Sequence, residues 1–546
     1  MSDPTPRPAD PGAPARPSGP LGPLAVSFSG GGYRAAAFHL GGLRLLHRAE
    51  LIDDVVALST VSGGTILGVP WVVSGLEGEP FERFYDRFKR FMARHNVIHE
   101  ALETLTDHRE HGTRTWPSLI RSAADVYAHP ELLGDRRFGA LIDAAASGGR
   151  WQELIFNSTE FRTGVDFRFR ASQNPHARIG NGNFRVPRAV ARHFRLADIA
   201  AASSCFPGGF EPLLFPEQFD WPDAFPLEKA KAELGPDFPS LALMDGGIYD
   251  NQGVDSLVLA YDKSEAATLV ISDVSTPEKD IYNYPAEPRK RGWLTLRGVS
   301  WLAWITFAAA AVSAGMLAWT WWGEVQEGER GWGNVFLYLV PFLFALGVAG
   351  GLVYLRILLK DAQEVLKKDV QIGDAFNDLG KLTVLELLSL LQLRVGSLLK
   401  LTSSIFMKRI RGLVYKGVYQ DEQYKGKRMA NLIYALADDH PKLYKANPWL
   451  VPSAALLASV RQAKDFGTTL WFDDVSEMDA ILVTGEATLC FTLIRFILDN
   501  HPDEVDTHSP IGELFARLRG LWDGLNGAAA GRGKASVATP KPAVQS

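Results

Sequence analysis

Three short stretches of this chain set a chemically capable residue, or a row of bare peptide groups, beside glycines at the end of an apolar run. They are "LAVSFSGGGYRAAAF" from Leu24, "VVALSTVSGGTIL" from Val55 and "LALMDGGIYDNQG" from Leu241. Gly30, Gly31 and Gly32 carry an entropy penalty and contribute no packing, so something must approach the backbone there. An apolar, β-prone run precedes them and an Ala/Leu-rich helical pattern follows, which makes them a strand-to-helix turn with outward N–H groups. Such a turn suits an anion: a phosphate or a developing oxyanion. The phosphate reading lacks the Lys-Ser/Thr of a P-loop, and G-x-G-x-x-G is not matched. A tight turn with no ligand is the third reading. Ser62, followed by Gly63 and Gly64, sits where a sharp turn would push a nucleophilic hydroxyl out of a sheet, or where a serine simply caps a helix. The pattern is T-V-S-G-G, with Thr60 in the first glycine position of G-x-S-x-G. Asp245, before Gly246 and Gly247, ends a buried-type strand, where open α/β sheets place their chemistry; an Asx-turn or helix cap is the alternative.

Taken together and in this order, "SGGGYRAA", "STVSGG" and "DGGIYDNQG" resemble the signature motifs of the patatin-like phospholipase family. "IFNSTEFRTGVDFRF" and "AASSCFPGGFEP" (Ala201–Pro212) are similar to it as well. The resemblance covers about Leu24–Ser275 and resumes through "FMKRIRGLVYKGVY" and "ATLCFTLIRFI"; it departs at Thr60, where the family often has Gly. It implies a three-layer patatin-like fold, a modified form of the α/β-hydrolase type, and a Ser-Asp dyad. Ser62 would attack a fatty-acyl ester to form an acyl-enzyme, and Asp245 would carry the proton. The oxyanion hole would be lined by Gly30, Gly31, Gly32 and Gly63, with donors expected from Gly31, Gly32 and Gly63. Arg34, Gly64, Gly246 and Gly247 would support the site. Arg34 either adds positive charge or braces the loop. Neither metal nor cofactor is implied. His39 and His47 read as helix-surface or packing residues, and His193 is the reserve base.

The elements that must position these residues follow from the apolar pattern. Strands at Ala25, Val55, Leu241 and Thr268 alternate with helical segments, which predicts a three-layer α/β domain with a mostly parallel sheet. With 546 residues, 46% of them hydrophobic, the chain can bury a large core. A net charge of −5 argues against nucleic acid as a partner. Two cysteines, Cys205 and Cys490, favour a reducing compartment.

The middle of the chain carries two uncharged runs, Gly298–Trp322 and Val335–Leu355. About 20 such residues span a bilayer. Trp301 and Trp304 stand at one end of the first run, and Trp319, Trp321 and Trp322 at the other, as interfacial belts do. The connector "GEVQEGERGWGN" is acidic, while Arg289, Lys290, Arg291 and Arg297 precede the pair and Arg356 and Lys360 follow it. The positive-inside rule therefore puts the catalytic domain on the cytoplasmic side of an inserted helical hairpin. Buried core helices are the alternative. The apolar segment from Leu382, ending in Lys408, Arg409, Arg411 and Lys416, would lie on anionic headgroups, or would be a core helix with a solvated basic turn.

The expected organisation is a disordered Pro-rich arm (1–22), a catalytic domain (23–290), the hairpin (291–360, helices about 298–322 and 335–355), a helical continuation packing on the catalytic domain (361–500), and a C-terminal helix and disordered tail (501–546). The expected function is a membrane-anchored lipid acyl hydrolase of phospholipase A or lysophospholipase type. Its substrate would be a membrane phospholipid or lysophospholipid. A lipid transacylase and a non-catalytic lipid-binding protein are the alternatives.

Overall fold

The computed structural model describes residues 19–110, 118–275, 296–327, 339–354 and 407–536, with isolated positions 383, 385, 397, 401 and 405. The N-terminal arm before residue 19, the basic joint at 285–291, most of the apolar segment 382–406 and the tail 537–546 lie outside the described residues. The chain divides into two compact units, Met1–Glu278 with Phe406–Ser546, and Lys279–Ile405.

The first unit is built on a ten-stranded sheet. Its parallel half is β10 (Arg428–Leu432), β9 (Thr268–Asp273), β1 (Leu24–Phe28), β2 (Val55–Val61) and β3 (Glu153–Glu160), adjacent in that order. Beyond β3 the sense changes. β4 (Val165–Ser172), β5 (Ile179–Gly180) and β6 (Arg185–Val186) continue the sheet antiparallel, while β7 (Leu213–Phe215) pairs with β8 (Leu241–Asp245) and β8 with β3. The sheet is therefore mixed, not mostly parallel. The reversal starts at the tight β3–β4 turn, where Gly164 takes φ +68°, and a short turn of this kind can only return a strand antiparallel.

β3 outruns its neighbour. Along one edge it pairs with β2 from Glu153 to Asn157, and the next positions, Ser158 to Glu160, pair with β8 running the opposite way. The last residue of β2, Val61, faces Asn157, and the last residue of β8, Asp245, faces Ser158. Two strands thus end head to head on consecutive positions of a third.

Both faces of the sheet are covered, so β1 and β9 are apolar on both sides. Leu24, Val26 and Phe28 face a large core with helices α1 (Gly32–Arg48) and α2 (Gly63–Leu76), whereas Ala25, Leu269 and Ile271 face a smaller one with Val254, Leu257, Ala260 and Val418. This is the alternation of a strand buried on both faces. The smaller core is closed by helices Val254–Asp262 and Met407–Tyr419. On the other face, α1 lies against the long helix Val475–Asn500. Glycines let their backbones touch: a Cβ on Gly41 would lie 2.1 Å from Leu482 O, and one on Gly485 1.9 Å from Phe38 O. An Arg48–Glu486 ion pair joins the same two helices.

In the second unit the described elements are helices Leu296–Glu327 and Leu339–Tyr354. The expected start of the second helix at 335 and its end at 355 fall outside the described residues. Among the described residues, two helices are long and apolar enough to cross a membrane. Trp304–Gly323 is 6% buried, whereas Val475–Asn500 is 78% buried and belongs to the core described above. Leu339–Tyr354 is apolar but shorter.

The backbone contact between α1 and Val475–Asn500 carries a prediction. Gly485→Ala must push the helices apart, and overpacking of this kind costs about 1–3 kcal/mol. Thermal unfolding should show a lower midpoint for Gly485→Ala and for Gly41→Ala; wild-type midpoints would mean that these backbones are not in contact.

Candidate active site

Ser62 joins β2 to α2 with φ +52° and ψ −120°, a backbone conformation that a residue with a side chain adopts only at a cost. The turn is sharp because its neighbours leave no room for side chains. A Cβ on Gly63 would lie 2.1 Å from Gly32 O, and one on Gly64 2.4 Å from Phe28 O. The glycines after Ser62 therefore let the elbow press onto both β1 and the glycine loop. Thr60 is accommodated from the opposite side: a Cβ on Gly68 would fall 2.6 Å from its methyl group.

Hydroxyl groups secure the elbow. Thr60 Oγ1 hydrogen-bonds Thr65 Oγ1 (2.8 Å), and Thr65 Oγ1 hydrogen-bonds Ser203 Oγ (2.7 Å). Ser203 Oγ accepts the Ser62 N–H (2.9 Å) and donates to Asn157 O (2.6 Å). Each of these groups is buried, and a buried polar group left without a partner would cost about 1–3 kcal/mol. The chain of partners selects one geometry for the turn.

Asp245 arrives from β8, and the Ser62 side chain stands beside its carboxyl group, where it favours the ionised form. Its Oδ1 also accepts the Gly247 N–H at 2.7 Å. Its backbone is pinned by Cys205 O, which accepts its N–H (2.9 Å), and by Thr159 Oγ1, which donates to its carbonyl (2.9 Å). Burial pushes the carboxyl up to about 6, against the opposing pull of the Ser62 hydroxyl, the Gly247 amide and the Arg411 charge. Gly246 carries β8 past β3, since a Cβ there would meet Asn157 O at 2.5 Å.

The glycine loop lies against this pair. A Cβ on Gly30 would be 3.0 Å from Ser62 Cβ. Gly31 and Gly32 take φ +146° and +59°, and among the described residues neither their N–H groups nor that of Gly63 makes a hydrogen bond. Gly30 differs from the expectation that it lines an oxyanion hole. Its N–H donates to Asn251 O at 2.9 Å, which leaves it no amide for a ligand. Asn251 Nδ2 donates back to Gly30 O (3.3 Å) and to Ser275 Oγ (3.1 Å). Arg34 braces the loop: its Nη1 donates to Phe466 O at 2.6 Å, beside the Tyr33 N–H bond to Thr469 O (2.8 Å).

The histidines fall elsewhere. His39 is fully buried, stacked on Phe28, and hydrogen-bonded to Ser272 Oγ (2.9 Å) and Ser29 O (3.1 Å); burial drives it down to about 3, so it is neutral packing. His47 is partly exposed against Phe81. His193 stacks on Phe225 among Arg192, Lys229 and Arg137, and among the described residues it makes no bond to Ser62 or Asp245. Among the described residues one group has metal-capable chemistry: His95, His129 and Glu131, with ligand atoms within 4.8 Å of one another. Glu100 holds His95 Nδ1, and His129 Nδ1 accepts the Glu131 N–H. None of the three is bonded to Ser62 or Asp245.

Several residues that hold the site carried little signal in the sequence. Ser203 and Asn157 lie in the stretches similar to the family, with nothing in their spacing to single them out. Asp250 caps the turn after Asp245 by accepting the N–H groups of Gln252, Gly253 and Asp255, and burial pushes it up to about 6. Arg411, expected with Lys408, Arg409 and Lys416 to face headgroups or solvent, instead donates from Nε to Gly247 O at 2.7 Å, and from Nη2 to the same oxygen.

Residues 26–258 match the family model described as patatin-like phospholipase. No curated protein matches the chain in sequence. Among solved structures, the human GIVD cytosolic phospholipase A2 is similar at 15% identity and a TM-score of 0.32, over 47% of this chain and 46% of that one. The same human protein in complex with the inhibitor methyl γ-linolenyl fluorophosphonate and terbium chloride is similar at 16% identity and a TM-score of 0.30, over 47% and 41%. The chain thus spans less than half the length of these solved structures. A patatin-like phospholipase domain occupies residues 26–258 of this chain.

Proposed function

We propose that this protein is a membrane-anchored serine lipid acyl hydrolase of phospholipase A or lysophospholipase type. The observation that carries the reading is that Ser62, held on a strained elbow, and the buried Asp245 carboxyl are brought together by strands ending on consecutive positions of β3. Ser62 Oγ attacks the acyl carbonyl carbon while Asp245 takes its proton. The tetrahedral intermediate places its oxyanion by the unpaired N–H groups of Gly31, Gly32 and Gly63, donors that cost no reorganisation when charge develops. Collapse breaks the ester C–O bond, and Asp245 returns the proton to the leaving alcohol. Water then attacks the acyl-serine, Asp245 takes its proton, and collapse frees the fatty acid and restores both side chains. A carboxyl near 6 is ionised at neutral pH yet basic enough to share a proton, which suits a general base.

The substrate class follows from the domain at 26–258 and from the apolar helix of the second unit. Trp301, Trp304, Trp319, Trp321 and Trp322 are all exposed on that helix, an apolar surface that water alone would not favour. We place the two apolar helices in a bilayer as an anchor, with the catalytic unit on the cytoplasmic side by the positive flanks of the pair.

Ser62→Ala and Asp245→Asn should each lower ester hydrolysis by at least about a thousandfold, since the nucleophile and its base act as a unit. A serine-directed fluorophosphonate should label wild type and not Ser62→Ala; hydrolysis by Ser62→Ala near the wild-type rate would refute the assignment. The wild-type rate should rise as pH passes through about 6, because Asp245 must lose its proton to act as base. A rate flat from about pH 5 to 8 would place the base elsewhere. Deleting residues 298–355 should move the protein from the carbonate-washed membrane pellet to the supernatant, and retention in the pellet would show that other segments anchor it.

A further inference from the structure

We infer that Arg411, which lies beyond the matched domain, is a positioning residue for the Asp245 base, holding its loop through Gly247 and presenting a fixed positive charge to the carboxylate. This rests on the dyad reading above and adds to it a residue brought by the helix Met407–Tyr419.

The geometry supplies two holds on one loop. At one end, the forked guanidinium of Arg411 converges on Gly247 O through Nε and Nη2. Gly247 in turn gives its N–H to Asp245 Oδ1 at 2.7 Å. A single glycine is therefore gripped by its amide on the base and by its carbonyl on the arginine. A Cβ there would lie 2.5 Å from Asn251 Oδ1 and 2.9 Å from Asp245 Oδ1, so no other residue fits without moving the base. At the other end, Tyr419 OH donates to Gln252 Oε1 (3.3 Å), whose Nε2 donates to Asp273 Oδ2 (2.6 Å). Between these points, Val414, Tyr415 and Val418 pack with Val254 and Leu257 of the following helix. A helix fixed by packing holds its arginine in place more firmly than a mobile surface side chain could.

The charge matters as well as the hold. The groups acting on or beside Asp245 are the Ser62 hydroxyl, the Gly247 amide, the Cys205 thiol, the Tyr127 phenol and Arg411. Burial pushes the thiol and the phenol up, so both stay neutral at physiological pH. Arg411 is the cation in the set, and a guanidinium keeps its charge at any working pH. It favours the ionised form of a carboxyl that burial disfavours. Removing the cation must raise the pH at which Asp245 becomes a base.

The test uses the full-length protein in membranes, with initial rates on a nitrophenyl fatty-acyl ester and fluorophosphonate labelling rates, both across the pH range. R411M should move the acid limb of both profiles to higher pH. Relative to wild type, its rate should be several-fold lower near pH 5.5 than near pH 8.5. R411K, which keeps the charge, should hold the limb near the wild-type position. R409M, at an exposed site on the same helix, should match wild type. If R411M does not accumulate, R411Q provides the same readout. A limb unmoved in the neutral variants, or a loss by one factor at every pH, would overturn the inference. If Ser62→Ala hydrolysed the ester like wild type, the dyad reading itself would fall; an inactive Ser62→Ala with an unmoved R411M limb would sink the Arg411 inference alone.

Discussion

The structure depends on one edge of β3. Because β3 is longer than β2, its edge has room for β8 to enter from the opposite direction and stop against the next residue. Hydrogen-bond register fixes where each strand ends to within one residue, and a slip would turn every side chain over to the other face. The residue after Val61 is Ser62, and the residue opposite Ser158 is Asp245. Their meeting is a consequence of ladder pairing, made before any side chain contributes. A carboxyl and a hydroxyl from elements nearly two hundred residues apart need such a frame, since no local turn could bring them together.

Once the strands abut, the small residues around them are forced. Gly63 and Gly64 sit where α2 would otherwise collide with Gly32 and with β1, and Gly246 where β8 passes β3. The cost of this crowding is backbone strain at Ser62, whose positive φ survives only because its surroundings over-determine it. The hydroxyls of Thr60, Thr65 and Ser203 and the carbonyl of Asn157 supply that determination. Thr60, the departure from the glycine expected there, is part of this network and fits because Gly68 faces its methyl group.

The glycine triplet, the S-G-G turn and the D-G-G strand end are legible in the sequence because each couples an apolar β-run to residues with unusual backbone freedom. The second half of the sheet is not legible. β5 and β6 are two residues each, too short for alternation to register, and the sense of β8 depends on a partner that its own residues do not name. Gly30 shows a related limit. Its composition matches that of its neighbours, and only the position of Asn251 O decides that its amide is spent on structure. Ser203 stands beside Ser204 in an Ala-rich helix, and nothing in their type separates the brace of the elbow from Ser204, which donates to Ala200 O.

Arg411 is illegible for a different reason, one of topology. β9 and β10 are adjacent and parallel, so the chain between them must cross over the sheet, and parallel neighbours are normally joined through a helix packed on the face. Helix Met407–Tyr419 is the last α-helix of that connection before β10, and the whole second unit, Lys279–Ile405, is inserted ahead of it. The face it covers is the one that carries Val254 and Leu257, directly after the Asp245 loop. A crossover helix forced onto that face brings the side chain at position 411 to Gly247. A basic run beside an apolar segment reads as a surface for headgroups when taken alone. Only the parallel pairing of β9 with β10 shows that one of its cations is turned inward, where it is bonded to the loop that holds the base.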